Sequence, residues 1–378
     1  MSRTKIFPIL IGALLAALPV RGQGNVEAIV AQNVRPILPA NGKGGGVAVA
    51  VRMNGETRFF NYGFANDARN ERVTADSIFN LGSVGKVFAT TILAEAVKRG
   101  ELSLDDPVAK YVTELQRGGD IRRVTLGQLA SHTSGLPRVP QQYEGWHRGN
   151  YTWPDFVRFL NSWKAAPNHE PGKQYLYSNA AMVLLRVALE RRFNNTRFAA
   201  LMRERITGPL GMSSTALPAR RDLLGRTVQG YGPGGSPVGR PGEEQGTFKW
   251  PGAGQIYSSL RDMATFLAAN MRDLAGHGAI ENAMAFAQQP IFTVSSRLKI
   301  GLAWQNVSSG NLRIVDKNGG LNNTSTYIGL APQRTLGIVI LVNRGKQHAT
   351  VIGRQILHAL AQDQSQPSTE GEPEPDRD

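Results

Sequence analysis

Hydrophobic and polar positions alternate from Gly46 to Met53, Asn54-Gly55 supplies the residues a tight hairpin turn needs, and Glu56 to Tyr62 returns as a second strand. A short helix over Val26 to Ile37 precedes this pair. At Ser83 the period changes: Val84, Val87, Phe88, Thr91, Ile92 and Glu95 mark successive helical turns until Gly100 ends them. Further helices are predicted near Val124 to Ser131, Trp153 to Trp163, Ala180 to Arg192, Phe198 to Ile206 and Ser259 to Arg272. Strand patterns reappear over Leu312 to Asp316, Ser325 to Ala331 and Leu336 to Val342, and an amphipathic helix runs from Ala349 to Ala361. Strands near both ends with helices between them predict an α+β architecture. An antiparallel sheet drawn from both ends of the chain is flanked by terminal helices and carries an inserted all-helical lobe over about residues 83–290. The site is expected at the seam between sheet and lobe.

The two ends read differently from the body. Arg3 and Lys5 precede an apolar stretch from Ile6 to Leu18, and Val20-Arg21-Gly22 offers small residues at the cleavage positions, so residues 1–22 read as a signal peptide. The apolar stretch is shorter than the roughly 20 residues a bilayer span requires, and no stable membrane span is expected after cleavage. This places the mature protein in the periplasm, or outside the cell where no outer membrane exists. Residues 363–378 have no apolar period and read as a disordered acidic tail. The 378 residues contain no cysteine, which excludes disulfides, thiolate catalysis and cysteine-linked lipid anchors.

The chain carries 43 Lys and Arg against 29 Asp and Glu, a formal charge of +14. Removing the +3 of residues 1–22 and the −5 of residues 363–378 leaves the body at +16. The arginines are dispersed, paired at most as in Arg122-Arg123 or Arg220-Arg221, with no basic run interleaved with aromatics; nucleic acid is therefore not an expected partner. A solvated basic surface suited to anionic envelope polymers, peptidoglycan among them, fits better. The body is expected to act as a monomer.

Ser83-Val84-Gly85-Lys86 sets a hydroxyl and an amine three residues apart at a helix start, where i and i+3 side chains are neighbours. A partly buried lysine with a lowered pKa can take the proton that makes serine a nucleophile. The helix N-terminus also favours a developing oxyanion. The same S-x-x-K spacing recurs at Ser2 to Lys5 and Ser296 to Lys299, but the first lies in the signal segment and the second in strand or loop. Tyr177-Ser178-Asn179 is the single Tyr-x-Asn among nine tyrosines. A phenol beside a lysine can relay a proton, and the Asn179 amide can hold the lysine and a substrate carbonyl at once. A lesser alternative has Asn179 cap the helix beginning at Ala180. Lys317-Asn318-Gly319 falls at an expected turn between two strands, where a backbone edge could pair with an extended substrate. As a bare K-x-G it recurs at Lys43, Lys98 and Lys299, so its weight lies in its order and setting.

These three elements, in this order, resemble the class C β-lactamase and low-molecular-mass penicillin-binding protein family of active-site serine hydrolases. The neighbourhoods share the resemblance: Phe79 to Lys86, Leu129 to Pro137, Pro171-Gly172, Pro209 to Met212 and Gly254 to Met263, together covering about residues 26–361. It implies that Ser83 is acylated and that Lys86 and Tyr177 share the general-base and relay work. Asn179 would position the acyl side chain, and the N–H groups of Ser83 and Gly320 would form the oxyanion hole beside Gly319. Lys317 would supply positive potential for the relay and the substrate carboxylate, which Asn343 would approach. The implied substrate is a small β-lactam or a D-Ala-D-Ala peptide, with no cofactor and no metal. The chain departs from class C enzymes at Asn318, where they usually carry Thr, and Gly320 to Thr324 lacks a glycine-rich run.

Other chemistries fit less well. Leu81-Gly82-Ser83-Val84-Gly85 fails the G-x-S-x-G elbow at its first glycine, so His132 reads as a structural loop histidine rather than a triad base. The six histidines show no paired metal-ligand spacing. Within the serine-hydrolase reading, β-lactamase is placed first because Lys317 is retained. A D-alanyl-D-alanine carboxypeptidase or endopeptidase, an esterase and a silent cell-wall binder follow.

Overall fold

The structure is a computed structural model that describes residues 23–40, 42–140, 151–243 and 252–364. The expected signal peptide lies outside the described residues, as does the tail beyond Gln364. Eleven strands and nine α-helices are assigned among the described residues. Nine of the strands form one antiparallel sheet, in the spatial order β3-β2-β1-β11-β10-β9-β8-β7-β6. These are β1 (Gly46–Met53), β2 (Glu56–Asn66), β3 (Glu71–Arg72), β6 (Phe292–Ser295), β7 (Leu298–Ile300), β8 (Gln305–Ser309), β9 (Leu312–Leu321), β10 (Thr324–Ala331) and β11 (Leu336–Val342). β4 (Ile78–Asn80) and β5 (Tyr257–Ser259) pair separately.

The predicted hairpin forms: Met53 faces Glu56 across a two-residue turn, with Asn54 and Gly55 both at positive φ (52° and 83°). That left-handed pair matches the twist of the strands it joins. β1 then pairs with β11, Val49 opposite Ile340, which draws both ends of the body into the middle of the sheet. Side-chain alternation sorts the two strands between two cores. Val47, Val49 and Val51 join Ile338 and Ile340 beneath α1 (Gln23–Val34) and α9 (Ala349–Asp363). Ala48, Ala50, Val339 and Leu341 face the helical lobe. β11 is buried on both sides, which explains its unbroken apolar run.

Between β4 and β6 the chain supplies α2 (Lys86–Lys98), α3 (Leu126–Ala130), α4 (Trp153–Ser162), α5 (Asn179–Arg192), α6 (Phe198–Met202), α7 (Leu260–Asn270) and α8 (Gly278–Gln288). α2 is the lobe's axis, ten of its thirteen residues being buried, and Phe88 stacks on Phe266 of α7 at 4.5 Å. The sequence pattern missed α8, whose start carries no side-chain cap, and the edge strands β6 to β8, which are short and largely polar. The helix expected over Phe198 to Ile206 ends at Met202 and continues as a wider π turn, Arg203–Thr207. Among the described residues no helix is long and apolar enough to cross a membrane.

α9 meets the sheet at Gly353, where a Cβ would lie 2.2 Å from Cδ1 of buried Tyr327. Gly353→Ala therefore inverts the usual helix preference. The propensity gain of about 1 kcal/mol is outweighed by overpacking, and urea unfolding is expected to show a net loss of about 1–2 kcal/mol.

Candidate active site

Ser83 sits in a 3-10 turn, Gly82–Gly85, that feeds directly into α2. Thr326 Oγ1 and Thr324 Oγ1 of β10 donate to the carbonyls of Leu81 (2.7 Å) and Asn80 (3.1 Å), and the Leu81 N–H donates to the Ile256 carbonyl (2.8 Å). The nucleophile's turn is thus stitched to sheet and lobe at once. Lys86, the first residue of α2, is fully buried. Its Nζ lies 3.0 Å from Ser83 Oγ and donates to the Ala253 carbonyl.

Tyr177 arrives on an extended segment before α5 and donates from its hydroxyl to Ser83 Oγ at 2.7 Å. The cap of α5 is Ser178: its Oγ accepts from the Ala181 N–H (2.9 Å) and donates to the Pro137 carbonyl (2.7 Å). Asn179 is therefore released from capping and faces the cleft, its N–H donating to the Arg138 carbonyl at 2.9 Å. The expectation of a structural His132 gains a specific content. Its Nδ1 accepts from the Ser178 N–H (3.2 Å), and its buried ring lies 4.4 Å, centroid to centroid, from that of Tyr177.

Lys317-Asn318-Gly319 lies within β9, not at a turn. The turn falls at Asn322-Asn323, since Leu321 already pairs with Thr324. Gly319 serves close approach rather than a turn: a Cβ there would stand 2.3 Å from the Leu81 carbonyl and 2.9 Å from the Ser83 nitrogen. A Cβ on Gly82 (φ 52°) would lie 3.0 Å from the Gly320 nitrogen. The Ser83 turn and the Gly320 amide thus meet across the seam. Lys317 is buried, with Nζ 4.9 Å from the centre of the Tyr177 ring. By strand alternation Asn318 shares the other face with Asp316; it is exposed and lines the rim of the cleft.

Asn343 corrects an expectation. Buried at 1% exposure, it accepts from the Gly46 N–H (2.6 Å) and donates to the carbonyls of Phe64 (3.0 Å), Ala65 (3.3 Å) and Gln229 (2.9 Å). Both ends of its amide are committed to holding β11 against β1 and β2, and it does not line the cleft. The residues of that segment which do are Lys346 and His348, both at positive φ (57° and 50°). Between them buried Gln347 anchors the loop, its N–H donating to Ser325 Oγ at 2.9 Å. Arg138, also missed from sequence, lines the cleft with its guanidinium carbon 5.2 Å from the Tyr177 ring centre. No periodicity marks these three; the one available signal is a basic residue beside each motif or strand end.

The cleft measures about 560 Å³ and includes Ser83, Asn179, Asn318, Gly319 and Gly320 in its wall. Its electrostatics follow from burial. Desolvation, then the charge of Arg138, holds the Lys86 amine well below the usual lysine value. Burial also lowers Lys317, with Lys86 contributing repulsion. Burial, followed by the charges of Lys317 and Lys86, holds His132 well below the ordinary histidine value, so it is a neutral ring at physiological pH. Ser83 therefore faces a phenol and an amine that can exist uncharged, with two backbone N–H groups adjoining.

A sequence model of the Beta-lactamase family matches residues 26–362. A beta-lactamase of Pseudomonas fluorescens is 26% identical, covering 89% of this chain and 99% of that protein. A D-alanyl-D-alanine-carboxypeptidase/endopeptidase, AmpH, of Escherichia coli is 27% identical over 79% of each chain. Among solved structures, the D-alanine carboxypeptidase AmpC of Burkholderia cenocepacia superposes with a TM-score of 0.77 at 25% identity, covering 89% of this chain and 99% of that one. With its three motifs gathered around one serine and the match spanning the body from first helix to last, the chain belongs to the Beta-lactamase family.

Proposed function

We propose that the protein is an active-site serine hydrolase that opens β-lactams through an acyl-enzyme on Ser83. The observation that carries this is Ser83 Oγ lying 2.7 Å from the Tyr177 hydroxyl and 3.0 Å from the buried Lys86 amine. In its neutral form that amine accepts the Ser83 proton as Oγ bonds to the lactam carbonyl carbon. The carbonyl oxygen becomes an oxyanion facing the N–H groups of Ser83 and Gly320. The carbon–nitrogen bond then breaks, and the leaving nitrogen takes up the proton relayed through Lys86 and Tyr177. Water next attacks the ester carbonyl, gives a proton to the same pair of groups and releases the acid, restoring the Ser83 hydroxyl.

Within this scheme Asn179 is proposed to hold the acyl side chain, and the β9 edge at Gly319-Gly320 to border the scissile carbonyl. Asn318 lies at the rim, and Lys317 gives the positive potential. The substrate carboxylate is assigned to the Lys346 and His348 end rather than to Asn343. The D-alanyl-D-alanine peptidase reading has support of its own in the AmpH and AmpC carboxypeptidase relatives. It shares every step up to the acyl-enzyme, with peptidoglycan as the source of substrate. We infer that residues 1–22 direct export, that the mature enzyme works as a monomer in the periplasm, and that no cofactor takes part.

A time course of intact mass with benzylpenicillin, with substrate loss followed in the same tube, separates these readings. Many turnovers that fall by roughly 10⁴-fold or more in Ser83→Ala are expected of the β-lactamase. A one-to-one adduct on Ser83 that persists for minutes moves the protein to the peptidases, and neither adduct nor turnover overturns both.

The lowered pKa of Lys86 sets the pH dependence. A base works only when unprotonated, so acylation rises as pH climbs through the Lys86 pKa and fades below it. Because burial lowers that pKa from the ordinary 10.5, the rising limb of the acylation rate is expected well below pH 10.5. Lys86→Met should remove the limb and slow acylation by about 10²–10⁴-fold. A limb at the free-lysine position would contradict the assignment.

A further inference from the structure

Among the described residues, the charged side chains that line the cleft are all cationic. That lining contains no aspartate or glutamate, and Arg138 and Lys346 both belong to it. Neither Arg138 nor Lys346 has an ion-pair partner among the described residues, and both side chains are exposed. One cation comes from the lobe side of the seam and the other from the sheet side. Arg138 stands beside Asn179 and over Tyr177. Lys346 stands on the loop packed against the β9–β10 turn: a Cβ on neighbouring Gly345 would lie 2.1 Å from the Asn322 carbonyl. The seam itself is where the Ser83 turn meets the β9 glycines.

We infer that the preferred substrate is a dianion, with one anionic group on each side of the bond that Ser83 attacks, and that Arg138 is the residue that selects the second anion. This rests on the acyl-enzyme reading above. A single carboxylate can satisfy the Lys346 end, and Arg138, exposed on the lining of the same cleft and without an ion-pair partner among the described residues, is left over. A guanidinium offers a planar fork that fits a carboxylate with two parallel hydrogen bonds. The +16 body charge favours capture of such a substrate from solution, but the selectivity resides in the placement of Arg138. In β-lactam terms, the second anion belongs on the acyl side chain. In a peptide it is a side-chain carboxylate upstream of the scissile bond.

The test compares benzylpenicillin with its counterpart carrying one extra carboxylate on the side-chain carbon next to the amide carbonyl, as second-order rate constants for acylation of Ser83. Arg138→Gln is expected to lower the dianion-to-monoanion ratio about five- to tenfold, and Arg138→Lys to keep more of it. Using the ratio divides out any common effect of losing a charge near Lys86. Lys346→Gln should slow both substrates and leave their ratio within about twofold, and raised salt should shrink the wild-type ratio. An equal ratio in wild type and Arg138→Gln overturns the inference while leaving the acyl-enzyme reading intact. Failure of both penicillins to acylate the wild-type protein overturns that reading, and this inference with it.

Discussion

Burying a lysine at the first position of α2 is the constraint around which the site is arranged. An ammonium without water or a carboxylate is costly, and the positive end of a helix dipole makes it costlier. Lys86 has the Ala253 carbonyl and Ser83 Oγ as partners and, among the described residues, no acidic one. The proton is therefore what the fold displaces. The consequence for stability has a definite sign. Below pH 10.5 the unfolded chain binds a proton at Lys86 that the folded chain holds less firmly, so this residue costs stability at neutral pH, and the cost shrinks as pH rises. A group kept at such a cost serves reactivity rather than folding.

The remaining structure holds that amine in place. Both cores meet the site through the sheet. Val315 faces the lobe and, two residues on, Lys317 and Gly319 share its face, while Asp316 turns the other way to accept from Tyr327 (2.9 Å) and Arg354 of α9 (2.7 Å). That ion pair, its carboxylate buried and its guanidinium half-buried, fixes β9 from behind. Gly319 then allows the strand to approach within reach of the Ser83 turn, where any side chain would collide with the Leu81 carbonyl. From the lobe, neutral His132 braces Tyr177 through its ring and through the Ser178 amide. A charged imidazole at that place would add to the repulsion already present between Lys86 and Lys317.

What the sequence disclosed follows from the range of the interactions. The Asn54-Gly55 turn, the helical period after Ser83 and the i, i+3 placement of Lys86 are local, and each was legible in order along the chain. The choice among three S-x-x-K copies was also settled locally: Ser296 proves to lie in the turn between β6 and β7, with Lys299 exposed on a strand. Asn343 was misassigned because its partners lie hundreds of residues away, at Gly46 and Phe64, and no local pattern encodes them. Arg138 and Lys346 were overlooked for a related reason. An exposed cation acquires meaning only from what stands across the cleft. The glycines of β9 looked like a turn because the backbone that presses on them comes from another part of the chain.

The protonation state of Lys86 can be observed without any substrate. In protein labelled at the lysine ε carbon, with the signal assigned through Lys86→Arg, an NMR titration follows this amine directly. A Lys86 resonance that titrates well below the ordinary 10.5 in the folded protein is expected. A Lys86 signal that titrates at the ordinary 10.5 would contradict the claim that burial supplies the base.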